Sequence, residues 1–539
     1  MIFRGIDERT TGSGLSGIKG GFAMTDMVGS RTLRSQWDET VRCYGRAPFL
    51  EYISVDDQVT VWTYEEMDRK VKQAANFFLE LGVARQELVA LHLHNTPEYL
   101  TCWLALAQIG AVSVPLNEHY QQPEVRHILE KCGIRRVITE PCALPLYLES
   151  APRPMAEQLI SIRGGEALPE GVISLEAGMA RQEPYLREVR PVTGDELAVI
   201  LFTSGTTRHP KGAMYTHCNV VYGGLIHVMQ MGMEHGDRFL SSMPCYHMDF
   251  QEMAAMPVIC TGSTLLMVEH YSARRFWGQV CRYRAQFTDT MSVMNRTMLM
   301  QAVQPWEKDH SLKQIYFSMG LSDEEKERFE ERFRVSLLNS YGMTETVSGV
   351  TCAPLTGEKR WPSVGRAAPS YCIKIVDECG RELAPGQVGE ICVHGVPGRS
   401  LVLGYYKDEE ATARLIDPDG WLHSGDRGYL DEDGWLYFID RSSDMIKRSG
   451  ENVSSLEVEC VLTSHSDIAD AAVIGVPDPI RDQAVKAFVQ LRPGSVLTKD
   501  EITEYCTPRL AKFKRPTIIE FVDDFPRTAT GKIKKSHLR

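Results

Sequence analysis

From Thr63 the chain alternates between two hydrophobic periodicities. Thr63 and Glu66 fit a capping box, and Met67, Val71, Ala74, Phe78 and Leu81 then recur at helical spacing until Gly82 closes the helix. The apolar run Leu88–Leu93 predicts a strand. Pro97 opens a second helix that stops at Gly110, and Val112–Val114 reads as another strand. Glu124–Lys131 is expected to be helical and Arg136–Thr139 extended. The same alternation resumes from Leu197 to about Val335. Repeated strand–helix–strand units predict a parallel sheet covered by helices.

Between Tyr371 and Phe438 the texture changes. Short alternating segments are separated by turn signals at Asp377–Gly380, Pro385-Gly386, Asp417–Gly420 and Asp431–Gly434. These predict an antiparallel, partly barrel-like region. After Asp440-Arg-Ser-Ser-Asp444 come a helix near Ser455–Leu462, strands near Ala471–Val476 and Val485–Leu491, a helix after Thr498, and a basic tail. The expected class is α/β. A large N-terminal domain of parallel sheets carries the small β region and is followed by a small α+β domain. The expected boundaries are an N-terminal extension at 1–23, a large domain at 24–440, a hinge at 441–444 and a small domain at 445–539. The extension is Gly- and Ser-rich and lacks the apolar core of a secretory signal, so it is expected to be disordered.

Size and charge narrow the function. A chain of 539 residues exceeds one ordinary core, and a formal net charge of −12 argues against a general nucleic-acid or anionic-membrane binder. No apolar run reaches the roughly 18 residues of a membrane span. The 14 cysteines are scattered, without C-x-x-C pairs or metal-ligand spacing, which fits a reducing cytoplasm.

Five segments carry chemistry. Phe202-Thr-Ser-Gly-Thr-Thr-Arg-His-Pro-Lys-Gly212 follows the apolar run Leu197–Leu201 and offers hydroxyls (Thr203, Ser204, Thr206, Thr207), the glycine Gly205 and the cation Lys211. That is equipment for holding a polyphosphate, although the glycine spacing is not that of a Walker loop. Ser340-Tyr-Gly-Met-Thr-Glu-Thr346 places a carboxylate beside hydroxyls after a glycine turn, which suits Mg²⁺ shared with phosphates. Trp421-Leu-His-Ser-Gly-Asp426 is read as a carboxylate ending a strand at a tight turn, able to accept both hydroxyls of a ribose. Asp440-Arg441 with Ile446–Asn452, and Pro526-Arg-Thr-Ala-Thr-Gly-Lys532, complete the set.

In this order and at these separations the five segments resemble the adenylate-forming superfamily. Its members include acyl- and aryl-CoA synthetases, peptide-synthetase adenylation domains and beetle luciferases. The resemblance covers about residue 30 to 539. It implies that residues 24–440 bind ATP and a carboxylic acid, and that residues 445–539 form a mobile lid. It implies an ATP site of Thr203, Ser204, Gly205, Thr206, Thr207, Lys211, Tyr341, Gly342, Thr344, Asp426 and Arg441, with Thr206 and Glu345 on the Mg²⁺ side. Lys532, Lys211 and Glu345 are the implied catalytic residues, and CoA the implied co-substrate, with Lys447, Arg448 and Gly450 on its side. The chain departs from the superfamily pattern at Arg208, at Ser443 and in the adenine-side segment Phe317–Asp323.

Within the superfamily, Met243–Asp249, Glu269–Gln279, Arg360–Gly365, Asp444–Ser454, Pro479–Asp482 and Leu510–Lys514 resemble the ligases for carnitine-type betaines. The implied substrates are carnitine, crotonobetaine or γ-butyrobetaine. The alternative is another short- or medium-chain or aryl acid. His247 is expected at the mouth of the acyl pocket with Tyr246, Asp249 and Phe250. A quaternary ammonium is recognised by aromatic faces and negative charge, and Asp249 is positioned to balance one. The partners expected are ATP, CoA and a betaine-type acid, with no nucleic acid and no membrane insertion. Assembly into a homo-oligomer is left open.

Overall fold

The computed structural model describes residues 27–148, 156–165, 168–203, 210–318, 320–441, 444–448, 451–478, 482–510, 512–528 and 531–538. The extension 1–23 lies outside them. Among the described residues the strands form four sheets. One has seven strands, parallel from Val172–Ser174 through Gln158–Ser161, Arg136–Thr139, Leu88–His92 and Val112–Pro115 to Leu197–Thr203. It closes on the antiparallel strand Lys211–Thr216. A nine-stranded sheet is parallel from Leu337–Gly342 through Gln314–Ser318, Phe287–Met291, Arg238–Ser241 and Thr264–Val268 to Pro48–Ile53, with antiparallel strands at both ends.

Local signals explain the helices between them. Tyr64–Glu80 starts on the reciprocal Thr63/Glu66 capping box and buries Met67, Val71, Ala74 and Phe78. Pro97–Ile109 is buried nearly all round and ends on Gly110 at φ 70°. A helix apolar on every side has to sit inside a large core, and this one does. A single core joins side chains of both large sheets, Leu91, Ile138 and Leu201 with Leu50, Phe239, Phe287 and Ile315. Tyr64, fully buried, keeps its polar end satisfied by donating to the Val258 and Ser263 carbonyls at 3.0 and 2.8 Å.

Where the turn signals predicted a partly barrel-like region, four strands form an open antiparallel sheet: Cys372–Val376, Gly389–His394, Trp421–Leu430 and Leu436–Arg441. Register shifts at Glu390/Cys392 and Arg427/Gly428 bend it. A separate core of Ile446, Val458, Val473, Val485 and Val489 holds the small C-terminal sheet. Its helix Ser455–Thr463 is anchored by Asp440, whose Oδ2 accepts from the Ser455 amide at 2.6 Å and the Ser455 hydroxyl at 2.7 Å. Among the described residues no helix is long and apolar enough to cross a membrane.

Within each large sheet the parallel strands end at a shared edge. Thr203, Ser241, Met291, Ser318 and Gly342 are the C-terminal residues of their strands. In open α/β sheets that edge is where ligands bind. Gly365 ties this frame to the four-stranded sheet, accepting from the Leu436 amide at 2.9 Å. Its φ is +94°, and a Cβ there would lie 2.1 Å from the Cys352 carbonyl. Gly365→Ala is therefore expected to lower the melting temperature by at least ~4 °C, measured by calorimetry. An unchanged melting curve would show that this junction yields freely.

Candidate active site

The segment after Leu337–Gly342 is a strained turn. Thr344–Thr346 forms one 3₁₀ turn, and Val347 follows it fully buried at φ 66°, a conformation a β-branched residue avoids. Two buried tyrosines hold the turn. Tyr215 donates to the Thr344 carbonyl, and Tyr371 donates to the Thr346 carbonyl at 2.5 Å and the Ser400 carbonyl at 3.0 Å. Gly342 is required because a Cβ would meet the Ser348 carbonyl oxygen at 2.7 Å.

The turn presents Glu345, which is 6% exposed and accepts from the Tyr405 hydroxyl at 2.6 Å. Lys211 Nζ stands 4.9 Å from the centroid of the same Tyr405 ring. Tyr405 thus links the cation of the phosphate segment to the carboxylate of the 340–346 segment. Sequence reasoning missed it, since nothing near Tyr405 in the chain marks it. Thr203 ends its strand with its hydroxyl 3.4 Å from the Lys211 carbonyl. Ser204, Gly205, Thr206, Thr207 and Arg208 lie outside the described residues.

Tyr341, Asp426 and Arg441 meet as one cluster. The Tyr341 hydroxyl donates to Asp426 Oδ2 at 2.8 Å, and Arg441 Nε lies 3.2 Å from Oδ1. Asp426 sits inside the strand Trp421–Leu430 rather than at its end, beside Gly425 at φ 70°. The contact with Arg441 is an ion pair without hydrogen-bond alignment, so Oδ1 is buried without a hydrogen-bond partner. Burial pushes the Asp426 carboxyl up, against the pull of Arg441 and Tyr341. A buried carboxylate oxygen with an unused lone pair fits a site that accepts a ligand hydroxyl.

Lys532 reaches this cluster from the small domain. Arg527 is bridged to Ile533 across the loop, and the Lys532 amide donates to Thr528 Oγ1 at 3.0 Å. Gly531, at φ +80°, lies against the large domain, where a Cβ would fall 2.7 Å from Val293 Cγ1. The Lys532 side chain is exposed to solvent. Burial and Arg441 lower its pKa, while Asp249 and Asp426 oppose them. The ammonium therefore stands in the field of both carboxylates, between the Asp426 cluster and the Asp249 wall.

That wall differs in part from the expected set. His247 caps the short helix Met248–Phe250, and its Nδ1 lies 3.2 Å from Asp249 Oδ2. Both side chains are partly exposed. Burial pushes the Asp249 carboxyl up, but His247, with Lys532 and His227, pulls it below the usual range. Phe250 is fully buried in the core. Tyr246 is nearly buried, in the field of Glu118 and Tyr120. Around Asp249 the structure gathers His227, Asp289, Tyr316 and Tyr215 instead. His227 packs edge-on to Tyr316 at 4.5 Å, and Asp289 accepts from Ser241 at 3.0 Å. The next turn carries Glu252, wholly buried.

These groups are under-satisfied. Both nitrogens of His227, both carboxyl oxygens of Glu252 and Asp289 Oδ1 are buried without hydrogen-bond partners. Each such atom costs about 1–3 kcal/mol, so these positions are not built for stability alone. Burial holds the Glu252 carboxyl well above the usual range, pushes Asp289 up to about 8 and His227 down to about 3. A visible signal existed. Asp289 is a charge inside the short strand Phe287–Met291, and His227 an imidazole inside the apolar helix His217–Met231.

On the expected CoA side, Arg448 is turned into the small domain, donating to the Phe513 carbonyl at 3.1 Å and the Arg515 carbonyl at 3.3 Å. Gly450 lies outside the described residues, as does the Lys447 side chain.

Comparison with known proteins agrees with this geometry. The AMP-binding enzyme family matches residues 37–406, and the AMP-binding enzyme C-terminal domain matches residues 457–532. The chain belongs to this family, the adenylate-forming enzymes, and is an AMP-forming acid–thiol ligase. It is 41% identical over 517 residues to the crotonobetaine/carnitine–CoA ligase of Proteus mirabilis (strain HI4320), covering 95% of this chain and all of the relative. The ligase of the same name from Salmonella paratyphi A (strain ATCC 9150 / SARB42) is 41% identical over 516 residues, with the same coverage. Among solved structures, the anthranilate CoA ligase AuaEII with anthranoyl-AMP superposes with a TM-score of 0.86 at 25% identity, over 95% of this chain and 97% of its own. ATP-bound MatB from Rhodopseudomonas palustris gives 0.83 at 25% identity, over 94% and 98%.

Asp289 supplies a pH test of the wall. An unfolded aspartate titrates near ~3.9, whereas folded Asp289 keeps its proton up to about 8. Between those values the unfolded chain binds fewer protons, so this group erodes stability as pH rises from ~4 to ~8. Asp289→Asn has no proton to lose. Its melting temperature is expected to gain on the wild type steadily from pH 5 to pH 8. Parallel curves would show that Asp289 ionises like an exposed carboxyl.

Proposed function

We propose that the chain activates a betaine-type carboxylic acid with ATP and transfers the acyl group to CoA. The observation that carries the substrate class is the wall beyond Lys532, where Asp249 stands with Asp289 and His227 in place of an apolar lining. A fatty or aryl acid would set no positive charge against Asp249. A fixed trimethylammonium needs negative charge and aromatic surface without hydrogen bonds, and Asp249 with Tyr316 and Tyr215 supplies both. The relatives named for crotonobetaine and carnitine support the same reading.

The chemistry follows from charge. A carboxylate must approach an α-phosphate, and the two repel. Lys532 would touch both, steering the nucleophile and offsetting charge that develops in the transition state. Asp426 and Tyr341 hold the ribose end, and Lys211 the departing phosphates. Glu345 offers the hard oxygen that Mg²⁺ takes, and with Thr206 it would hold the ion against phosphate oxygens. When bound, the ion neutralises phosphate charge. The acyl-adenylate then yields its acyl group to the CoA thiol, releasing AMP. A large domain at 24–440, a hinge at 441–444 and a lid at 445–539 describe the moving parts.

The test is pyrophosphate release with ATP, Mg²⁺ and CoA across L-carnitine, crotonobetaine, γ-butyrobetaine, butyrate, octanoate and benzoate. Activity is expected with the trimethylammonium acids, with a loss of at least ~10³-fold in kcat for Lys532→Ala. Asp249→Asn should raise KM for the betaines by about tenfold or more, an effect of ~1.4 kcal/mol. Preference for the uncharged acids, or a betaine KM indifferent to Asp249→Asn, would remove the betaine assignment and leave the ligase chemistry.

A further inference from the structure

Lys532 can act only if its loop is held at the right height over the cleft. A relay of charged side chains runs across the domain junction to that loop. Arg296 lies on the large-domain helix Ser292–Leu299 and makes a two-pronged contact with Glu325, Nε to Oε1 at 2.7 Å and Nη2 to Oε2 at 3.1 Å. Its remaining nitrogen, Nη1, points across the junction to Asp470 Oδ1 at 3.6 Å. Asp470, on the strand Ile468–Asp478 of the small domain, also accepts from Arg527 Nη2 at 2.7 Å. Arg527 in turn donates from Nη1 to the Gly531 carbonyl at 3.1 Å, the residue before Lys532. The same large-domain helix supplies Val293, which Gly531 touches.

We infer that Asp470 is a positioning residue for acyl-adenylate formation, coupling the docking of the small domain on the helix Ser292–Leu299 to the placement of the Lys532 loop. This rests on the role proposed above for Lys532. The arrangement is suited to a contact that must also break. Each half is neutralised internally, Arg296 by Glu325 and Arg527 by Asp470, and the charged groups of the two halves meet through the long 3.6 Å contact, beside a 3.4 Å hydrogen bond from Arg296 Nη2 to the Thr463 hydroxyl. Separation strands no buried charge, which is the large penalty in breaking a buried ion pair. The side chains are also poorly hydrated, with Arg296 and Asp470 at 14% and 10% exposure, so the linking field is weakly screened. The thiol that receives the acyl group needs no ammonium at the carboxylate, so the relay should matter to the first half-reaction alone.

The experiment measures the two half-reactions separately on the full chain. ATP–pyrophosphate exchange reads adenylation, with whichever acid of the panel supports wild-type exchange. Transfer from the synthetic adenylate of that acid to CoA reads the second step. Asp470→Asn is expected to lower exchange about tenfold or more, to change transfer less than twofold, and to leave KM for ATP unchanged. Asp470→Glu should restore part of the loss. Val293→Ala, which leaves every charge in place, should lower exchange several-fold with transfer intact. Wild-type exchange in Asp470→Asn, or equal losses in both half-reactions, would overturn the proposal. Lys532→Ala in the same assays separates the two ideas. If it too keeps full exchange, the role of Lys532 fails, and the relay with it. If it loses exchange while Asp470→Asn keeps it, only the relay fails.

Discussion

Everything in the cleft answers to one electrostatic constraint: a carboxylate has to be brought against a phosphate. Lys532, the residue proposed to meet it, is carried on a separate domain and stands in the field of Asp249 and Asp426. The two carboxylates offset part of the lowering that burial and Arg441 impose on its pKa. On the proposed reading, the Asp426 cluster and the Asp249 wall together form the electrostatic seat of the lysine.

Rigid parts hold that seat. The phosphate-side cation and the 340–346 carboxylate both touch Tyr405, and the strained turn at Val347 is fixed by two buried tyrosines. The seat is also expensive. Glu252, His227 and Asp289 hold buried polar atoms without partners, and Val347 adopts a backbone conformation that its side chain disfavours. A stability-driven fold would have filled these positions with apolar residues.

Much of the fold was legible because its signals are local. The Thr63/Glu66 box, the stop at Gly110 and the buried run Leu197–Leu201 each depend on residues within a few positions of one another. The nucleotide cluster was legible for a different reason: Tyr341, Asp426 and Arg441 lie in recognisable segments, although the strand around Asp426 runs on past it. The acyl wall was only partly legible. His247 and Asp249 sit in one segment, but Asp289, His227 and Tyr316 come from separate strands and a helix, joined only by sheet order. Phe250, close in sequence, turned inward to the core. Arg448 looked free to meet an anion, yet the small domain uses it to satisfy its own carbonyls.

The central claim is that the wall beyond Lys532 reads positive charge rather than shape. Its most direct test compares the binding of γ-butyrobetaine with that of 5,5-dimethylhexanoate, in which carbon replaces the quaternary nitrogen. Calorimetry in the presence of a non-hydrolysable ATP analogue gives both dissociation constants. The account predicts that the betaine binds at least ~10-fold more tightly, and that Asp249→Asn erases the difference. Equal affinity, or preference for the uncharged isostere, would contradict it.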